Sequence, residues 1–131
     1  MKKIIPVIIA IIVVGGVALY FLVFSSDQEK PEVRVEYSPG EFFTTNVSGS
    51  SRLLKAGIIL VVNENGLEEQ LTNDNARIRD TIIFILRSLT EDEIKAPGTQ
   101  DALRARITKA LNTKLGIDNF VEVLFNDFVM A

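Results

Sequence analysis

Apolar residues fill one long stretch near the N-terminus. Residues 4–24 read IIPVIIAIIVVGGVALYFLVF, and none of these 21 positions carries a charge. A helix that rises 1.5 Å per residue would span roughly 31 Å over this stretch, about the thickness of a bilayer's hydrocarbon core. Because lipid offers the backbone no hydrogen bonds, such a stretch is helical despite its β-branched residues. We therefore predict one transmembrane helix from Ile4 to Phe24, in contact with membrane lipid.

The charges on either side of this stretch predict its orientation. Two lysines precede it within residues 1–3, whereas Asp27 and Glu29 are the first ionisable residues after it. The positive-inside rule keeps residues 1–3 in the cytoplasm and exports the rest of the chain. A cleaved signal peptide is the alternative, but the apolar run exceeds the usual core of about 7–15 residues, and Val-Phe before Ser25 is a poor cleavage site. A retained anchor is the better interpretation.

After the anchor, apolar residues occur in short runs that alternate with polar ones. Residues 25–40 contain many charges and two prolines, which is typical of an extended tether. Within them, the alternation over Val33–Tyr37 also allows a short edge strand. Glu41–Val47 and Arg52–Asn63 are rich in β-forming residues and are separated by a Ser/Gly turn. They predict an antiparallel hairpin.

Two later segments have apolar residues at helical spacing. Asn75–Leu89 is expected to be buried over more than half its circumference, since Ile83 and Phe84 widen its apolar stripe. Asp74 or the preceding asparagine is the expected N-cap. A second helix is predicted at Gln100–Leu115, with Thr99 as its N-cap and the following glycine as its C-terminal cap.

The chain closes with a segment of strand character, Asn119–Met130. Its alternation changes phase at Asn126-Asp127, which predicts a bulge or a bend. The domain over residues 41–131 therefore has the order β-β-α-α-β. This order predicts an α+β fold in which the helices pack on one face of a small mixed sheet.

The composition excludes several classes of function. The chain has no Cys and no His, so it lacks disulfides, the commonest metal ligand and the commonest neutral-pH base. Beyond the anchor, 12 Lys/Arg face 17 Asp/Glu, a net charge of −5 that does not suit nucleic-acid binding. Glu68-Glu69 and Glu91–Glu93 lie at helix margins, where acidic residues are normally solvated. We predict no enzyme activity, catalytic residue, metal or cofactor.

Three groups of residues are candidates for contacts with another subunit or a partner. The first lies at the start of the first predicted helix, the second in the first strand of the hairpin, and the third on the outer face of the second predicted helix. The simpler alternatives are a local ion pair between Arg77 and Asp80, core packing of the aromatic residues, and solvation. The candidates are Arg77, Arg79, Asp80, Phe42, Phe43, Arg104, Arg106 and Lys109.

A series of motifs in this order resembles the FliL family of flagellar basal body-associated membrane proteins. The series comprises RLLKAGIILVV after TTNV, then ARIRDTIIFILRSLTEDEI, PGTQDALRARITKALNTKLG and VEVLFNDFVMA. The family pattern R-I-R-D-x-I-I-x-x-L is present from Arg77 to Leu86. Departures include Leu124 for the usual Tyr, Asn126 for Thr and Ala131 for Gln. No catalytic motif is carried over by the resemblance.

The resemblance implies an inner-membrane protein with a periplasmic domain of stomatin/prohibitin-like fold. It also implies that the domain associates into a ring around the ion-conducting stator units of the flagellar motor, and stabilises or regulates them during motility and chemotaxis. The candidate contact residues would then meet neighbouring subunits or stator proteins. A general stomatin-like scaffold that recruits a non-flagellar channel or protease is the alternative. A membrane-tethered enzyme or ligand-binding domain would instead require a concave site with convergent polar groups.

Overall fold

A computed structural model of the chain describes residues 3–25 and 32–131. Residues 1–2 of the predicted cytoplasmic N-terminus and residues 26–31 of the predicted tether lie outside the described residues. The chain divides into two compact units, residues 1–32 and 33–131. In order, its elements are α1 (Ile5–Ser25), β1 (Val35–Tyr37), β2 (Phe43–Asn46), β3 (Leu53–Val62), α2 (Glu68–Asn73), α3 (Asn75–Arg87), α4 (Glu91–Lys95), α5 (Thr99–Leu115) and β4 (Phe120–Met130).

The first unit contains the helix α1, within one residue of the predicted span at each end. Its apolar side chains point in all directions, and those of residues 4–23 are exposed. Among the described residues, Ile5–Val23 is the one helical stretch long and apolar enough to cross a membrane by length and composition. A helix that is apolar on every side requires an apolar environment on every side.

The second unit is built on a four-stranded antiparallel sheet. The long strand β3 lies in the centre and pairs with β4 along its whole length. On its other side, β2 pairs with the first half of β3 and β1 with its last three residues. The predicted hairpin of β2 and β3 is confirmed, but the predicted mixed sheet is wrong. The helices return the chain to the C-terminal end of β3, where Asn63 N–H donates to the Asn119 carbonyl at 3.1 Å. Because β4 starts at this end, it runs antiparallel to β3.

The observed order is β-β-β-α-α-α-α-β, with three short elements beyond the predicted five. One of them is the edge strand β1, which the alternation over Val33–Tyr37 allowed inside the segment predicted as tether. Its Tyr37 packs against the core. The helix α2 occupies the segment after β3, and Leu71 buries its side chain there. The helix α4 begins where the Thr90 hydroxyl accepts a hydrogen bond from Glu93 N–H at 3.3 Å. Burial or capping of single residues therefore stabilises elements too short for a clear periodic pattern.

The helices α3 and α5 cover one face of the sheet, as predicted. Their buried residues recur every three or four positions and meet alternate residues of β3. This arrangement confirms an α+β fold, while its assignment to the stomatin/prohibitin-like class stays a prediction. The buried helix residues are Ile78, Ile82, Ile85 and Leu86 of α3 and Leu103, Ile107 and Leu111 of α5. The residues of β3 in the same core are Leu54, Ala56, Ile58, Leu60 and Val62.

The helix ends only partly follow the prediction. Gly116 adopts φ +67° after the last turn of α5 and is the predicted C-terminal cap. Asp74 occupies the N-cap position of α3, as predicted, but makes no side-chain cap bond. The predicted N-cap of α5 is wrong, because Thr99 is already the first residue of that helix. The Thr99 hydroxyl donates instead to the Glu93 carbonyl, which joins α5 to α4.

The predicted bulge in β4 lies at Asn126. Asp127 pairs with Gly57 and Phe125 with Ile58, so Asn126 has no partner in β3. The extra residue keeps Phe125 and Phe128 on the face that packs against the helices. A side chain at Gly57 would collide with the Asn126 amide oxygen. The glycine therefore makes room for the bulge.

Candidate interaction surface

Arg79 of α3 forms hydrogen bonds with the segment before β2. Its two terminal nitrogens donate to the carbonyls of Pro39 (3.1 Å) and Phe42 (3.3 Å). The guanidinium carbon also lies 4.2 Å from the centroid of the Phe43 ring, a cation–π distance. Gly40 has φ +150°, and a side chain there would collide with the guanidinium. The predicted contact residue Arg79 is thus engaged within its own domain.

Arg77 and Asp80, the neighbours of Arg79 on α3, are both exposed. Among the described residues, no ion pair within 4 Å joins them, so the simpler alternative of a local pair does not describe this structure. Both charges face solvent. The three residues of this predicted group therefore divide into one that stabilises the fold and two that remain free for a partner.

Phe42 and Phe43 are adjacent in sequence, but the Phe43 side chain points into the core and the Phe42 side chain points to the surface. The Phe43 ring is 1% exposed and belongs to the core. Phe42 is 38% exposed, and the Lys55 ammonium lies 3.9 Å from its ring centroid. This is the alternation expected where a strand begins. Core packing, the simpler alternative, accounts for Phe43 but not for Phe42.

The predicted group on α5 also separates. Arg104 turns toward β4, where it pairs with Asp101 at 2.8 Å and lies 5.8 Å from the Phe125 ring centroid. Arg106 and Lys109 point toward α3 instead, and Arg106 donates to the Ser88 hydroxyl at 3.4 Å. Arg104 and Lys109 border a depression beside β4, and Arg106 and Lys109 share the surface beside α3.

That surface is an open groove of about 740 Å³ between α3 and α5, which we call the helix groove. Phe84 stands in it with its side chain 74% exposed. On its other side, Phe84 borders a second depression that Arg87 lines. The residues that line the helix groove are Asp80, Thr81, Phe84, Ile85, Arg106, Lys109, Ala110, Thr113 and Lys114.

The exposure of Phe84 contradicts the expectation that it widens the buried stripe of α3. At 100° per residue, Phe84 stands about 200° around the helix from the buried Ile82. The position of Phe84 around the helix therefore predicts its exposure, whereas its apolar character alone suggests burial. Ile83, about 100° from Ile82, is half-buried and packs against the core.

Two titratable groups with shifted pKa values lie away from the groove, in contacts that stabilise the fold. The Ser50 hydroxyl donates to the Glu91 carboxylate and lowers its pKa, an effect to which Arg52 (4.0 Å) and Lys95 (3.8 Å) add. Burial raises the pKa of the Tyr37 phenol, whose hydroxyl lies 2.8 Å from the Asn75 side-chain oxygen. Neither environment resembles a catalytic centre. In the described part of the chain, no cluster of three or more acidic residues is placed to hold a metal ion.

The sequence model of the family described as flagellar basal body-associated protein FliL matches residues 37–130. The match extends from the end of β1 to the end of β4 and includes both helices of the groove. The chain belongs to the FliL family. The resemblance found in the sequence motifs is thereby confirmed, and FliL is not a known enzyme family.

A curated relative supports the same assignment. The flagellar protein FliL of Aquifex aeolicus (strain VF5) is 31% identical over 103 residues. The aligned part is 76% of this chain and 63% of that protein, so the chain spans less than two thirds of the relative's length. Association with the flagellar basal body is the property that the family description states.

Proposed function

We propose that this chain is a non-enzymatic accessory protein of the flagellar motor. In this proposal α1 crosses the inner membrane as a single pass, with the N-terminus in the cytoplasm and residues 33–131 in the periplasm. The domain assembles into a ring around the ion-conducting stator units and stabilises or regulates them during motility and chemotaxis. The observation that carries the proposal is the FliL match over residues 37–130, and the apolar helix α1 supports the membrane attachment.

The physical basis of ring assembly would be confinement. An anchor in the bilayer restricts the copies to two dimensions and raises their effective concentration, so interfaces of modest affinity can close a ring. Exposed charges that lack internal partners suit such interfaces, because they determine how two subunits align and which partner is accepted. Arg77, Asp80 and Lys109 are exposed charges of this kind. Phe42 and Arg106 add a partly exposed ring and a second cation.

The remaining predicted contact residues would support this surface indirectly. Arg79 and Phe43 hold the segment before β2 against α3, and Arg104 lies toward β4. Charge reversal at Arg79 would disturb the fold as well as any interface. Arg77 is the better residue for a test, because its side chain is exposed and forms no ion pair with any described residue.

The test compares four strains: one with the gene deleted, one with the full chain restored, one with Arg77→Glu, and one with a control charge reversal at Asp118. We expect deletion to reduce swimming speed and the number of fluorescently labelled stator units at each motor. Arg77→Glu should shift the cross-linked oligomers in isolated membranes toward smaller sizes, whereas Asp118→Lys, which reverses an exposed charge between α5 and β4, should not. Unchanged swimming and unchanged stator recruitment in the deletion strain would contradict the motor role and favour a non-flagellar scaffold.

A further inference from the structure

The helix groove is basic, although the chain beyond the anchor is acidic overall. Four cationic side chains border the exposed ring of Phe84, and Asp80 is the one carboxylate among the lining residues of the two adjoining depressions. The cations are Arg87, Arg106, Lys109 and Lys114. A local excess of one charge sign on a domain of the opposite sign attracts a partner of complementary charge.

These cations are not neutralised within the domain. Among the described residues, Arg87, Lys109 and Lys114 form no ion pair within 4 Å. Arg106 has only a long hydrogen bond to the uncharged Ser88 hydroxyl. By contrast, Arg34, Arg52, Lys95 and Arg104 each have a carboxylate partner. The unpaired cations therefore concentrate on the face formed by α3 and α5.

Phe84 adds an apolar element to this charged face. Its ring is 74% exposed and separates two concave spaces, with Ile85 and Ala110 in the wall of the larger one. Aromatic side chains surrounded by a charged rim are typical centres of binding energy in protein interfaces. A space on either side of the ring suits a polypeptide segment that can wrap around it better than it suits a flat lipid surface.

We infer that the helix groove binds an acidic segment of another protein, one that places an apolar side chain against Phe84 and carboxylates against Lys109, Lys114, Arg106 and Arg87. This inference deepens the proposed function and rests on it in so far as the partner belongs to the motor. The segment is recognised by its charge and its apolar residue together. Neither a neutral segment nor a purely acidic one satisfies both features of the groove.

The experiment uses the full chain in the membranes of its own cells. The photoreactive residue p-benzoylphenylalanine replaces Phe84 in one strain and, as a matched control, Val129 in another, since Val129 is 51% exposed on the opposite face of the sheet. After irradiation, mass spectrometry maps the attached peptide. We expect the Phe84 position to attach to a segment of another protein that is rich in Asp and Glu, and the Val129 position to give no such product.

Two sets of variants test the two parts of the recognition. The pair Lys109→Glu and Lys114→Glu should lower the yield of this product at least tenfold, whereas Lys55→Glu should leave it unchanged. With the photoreactive residue placed at the exposed Thr113 instead, Phe84→Ser should lower the yield at least tenfold. Circular dichroism of each purified full-length variant verifies that it remains folded.

Several outcomes would overturn the inference. They are an adduct with a second copy of this chain, an adduct with lipid, an attached segment without carboxylates, no adduct, or a yield that the charge reversals do not change. An adduct between copies would refute the inference and still agree with ring assembly. Conversely, the Phe84 position could attach to an acidic segment of another protein while the deletion strain swims normally. That result would support binding at the helix groove and refute the motor role. The two proposals can therefore fail separately.

Discussion

The helices α1 and α3 are both rich in isoleucine but use it in opposite ways. In α1 the apolar residues surround the whole helix and are exposed, as Ile11 and Ile12 show. In α3 they form a stripe, and Ile78 and Ile82 on that stripe are completely buried against the sheet. The amount of apolar surface does not separate these cases; its distribution around the helix does. A full circumference requires an apolar environment on every side, whereas a stripe requires a protein core on one side only.

Phe84 is the exception that makes this comparison informative. It lies on α3 but is more exposed, at 74%, than any of the large apolar side chains described between Ile5 and Val23 of α1. Its large exposed ring stands among unpaired cations on a helix that otherwise follows the stripe rule, and this combination is the basis of the proposed interaction at the helix groove. The helix α3 therefore serves the core with one side and the helix groove with the other.

The largest effect should come from the buried side of α3. Ile82→Ala removes atoms from the centre of the core and leaves a cavity, so we expect the free energy of unfolding to fall by about 2–5 kcal/mol. Phe84→Ala, on the exposed side, should change it by less than about 0.5 kcal/mol. Urea denaturation of the full chain in detergent micelles, followed by circular dichroism, measures both. Equal losses would contradict the division of α3 into two sides.

A charge in the middle of α1 tests the other half of the comparison. Val13→Arg should cost about 2.5–3.5 kcal/mol of insertion free energy, since a guanidinium at the bilayer centre loses its hydration. The measurement is the fraction of the chain that stays in the membrane after alkaline extraction, with Val13→Leu as the control. If Val13→Arg is retained as well as the control, α1 does not lie across the bilayer.

On the polar side of α3, Arg79 should contribute to the stability of the fold and Arg77 should not. Arg79→Ala removes two charge-assisted hydrogen bonds and the contact with the Phe43 ring, and we expect a loss of about 1.5–3 kcal/mol in unfolding free energy. Arg77→Ala, which removes an exposed charge, should cost less than about 0.5 kcal/mol. The same urea titration compares them. Similar losses would mean that Arg79 is no more important to the fold than its neighbour.

The smallest effect concerns pH and the contact between the β2–β3 turn and α4. The pKa of Glu91 is lower in the folded state than its ordinary value of 4.5. Its carboxylate therefore stabilises the fold above pH 4.5, and this contribution disappears as the pH falls below 4.5 through the folded-state pKa. Thermal unfolding between pH 3 and 7 should show a weaker acid destabilisation in Glu91→Gln. An unchanged pH profile would rule out a contribution from this carboxylate.

Long elements with a regular pattern were predictable from the sequence. The anchor, the strands β2 to β4, the helices α3 and α5 and the bulge at Asn126 lie within about two residues of their predicted positions. The short elements were less predictable, because β1, α2 and α4 contain too few residues for a clear periodic signal. The alternation over Val33–Tyr37 allowed an edge strand at β1 but did not require one. The stability of these short elements comes from single contacts, such as that of Tyr37 with the Asn75 side chain at 2.8 Å, which join residues distant in sequence.

The candidate contact residues show the same limit. Their charge and aromatic character indicated a surface, but the neighbours Phe42 and Phe43 differ completely in burial, and Arg79 is occupied by carbonyls about 40 positions earlier in the chain. The prediction also omitted Phe84, because an aromatic residue beside isoleucines was assigned to the core. Whether the remaining residues contact a partner stays a prediction.

The sequence by itself determined the long apolar helix near the N-terminus, the α+β composition of the domain and the membership of the FliL family. These follow from local composition, periodicity and motif order, which are properties of the chain before it folds. Only the tertiary structure decided that the sheet is entirely antiparallel, that Arg79 is bound internally and that Phe84 stands among unpaired cations. These depend on which distant residues come within contact distance, and burial and charge pairing are defined only once those distances exist.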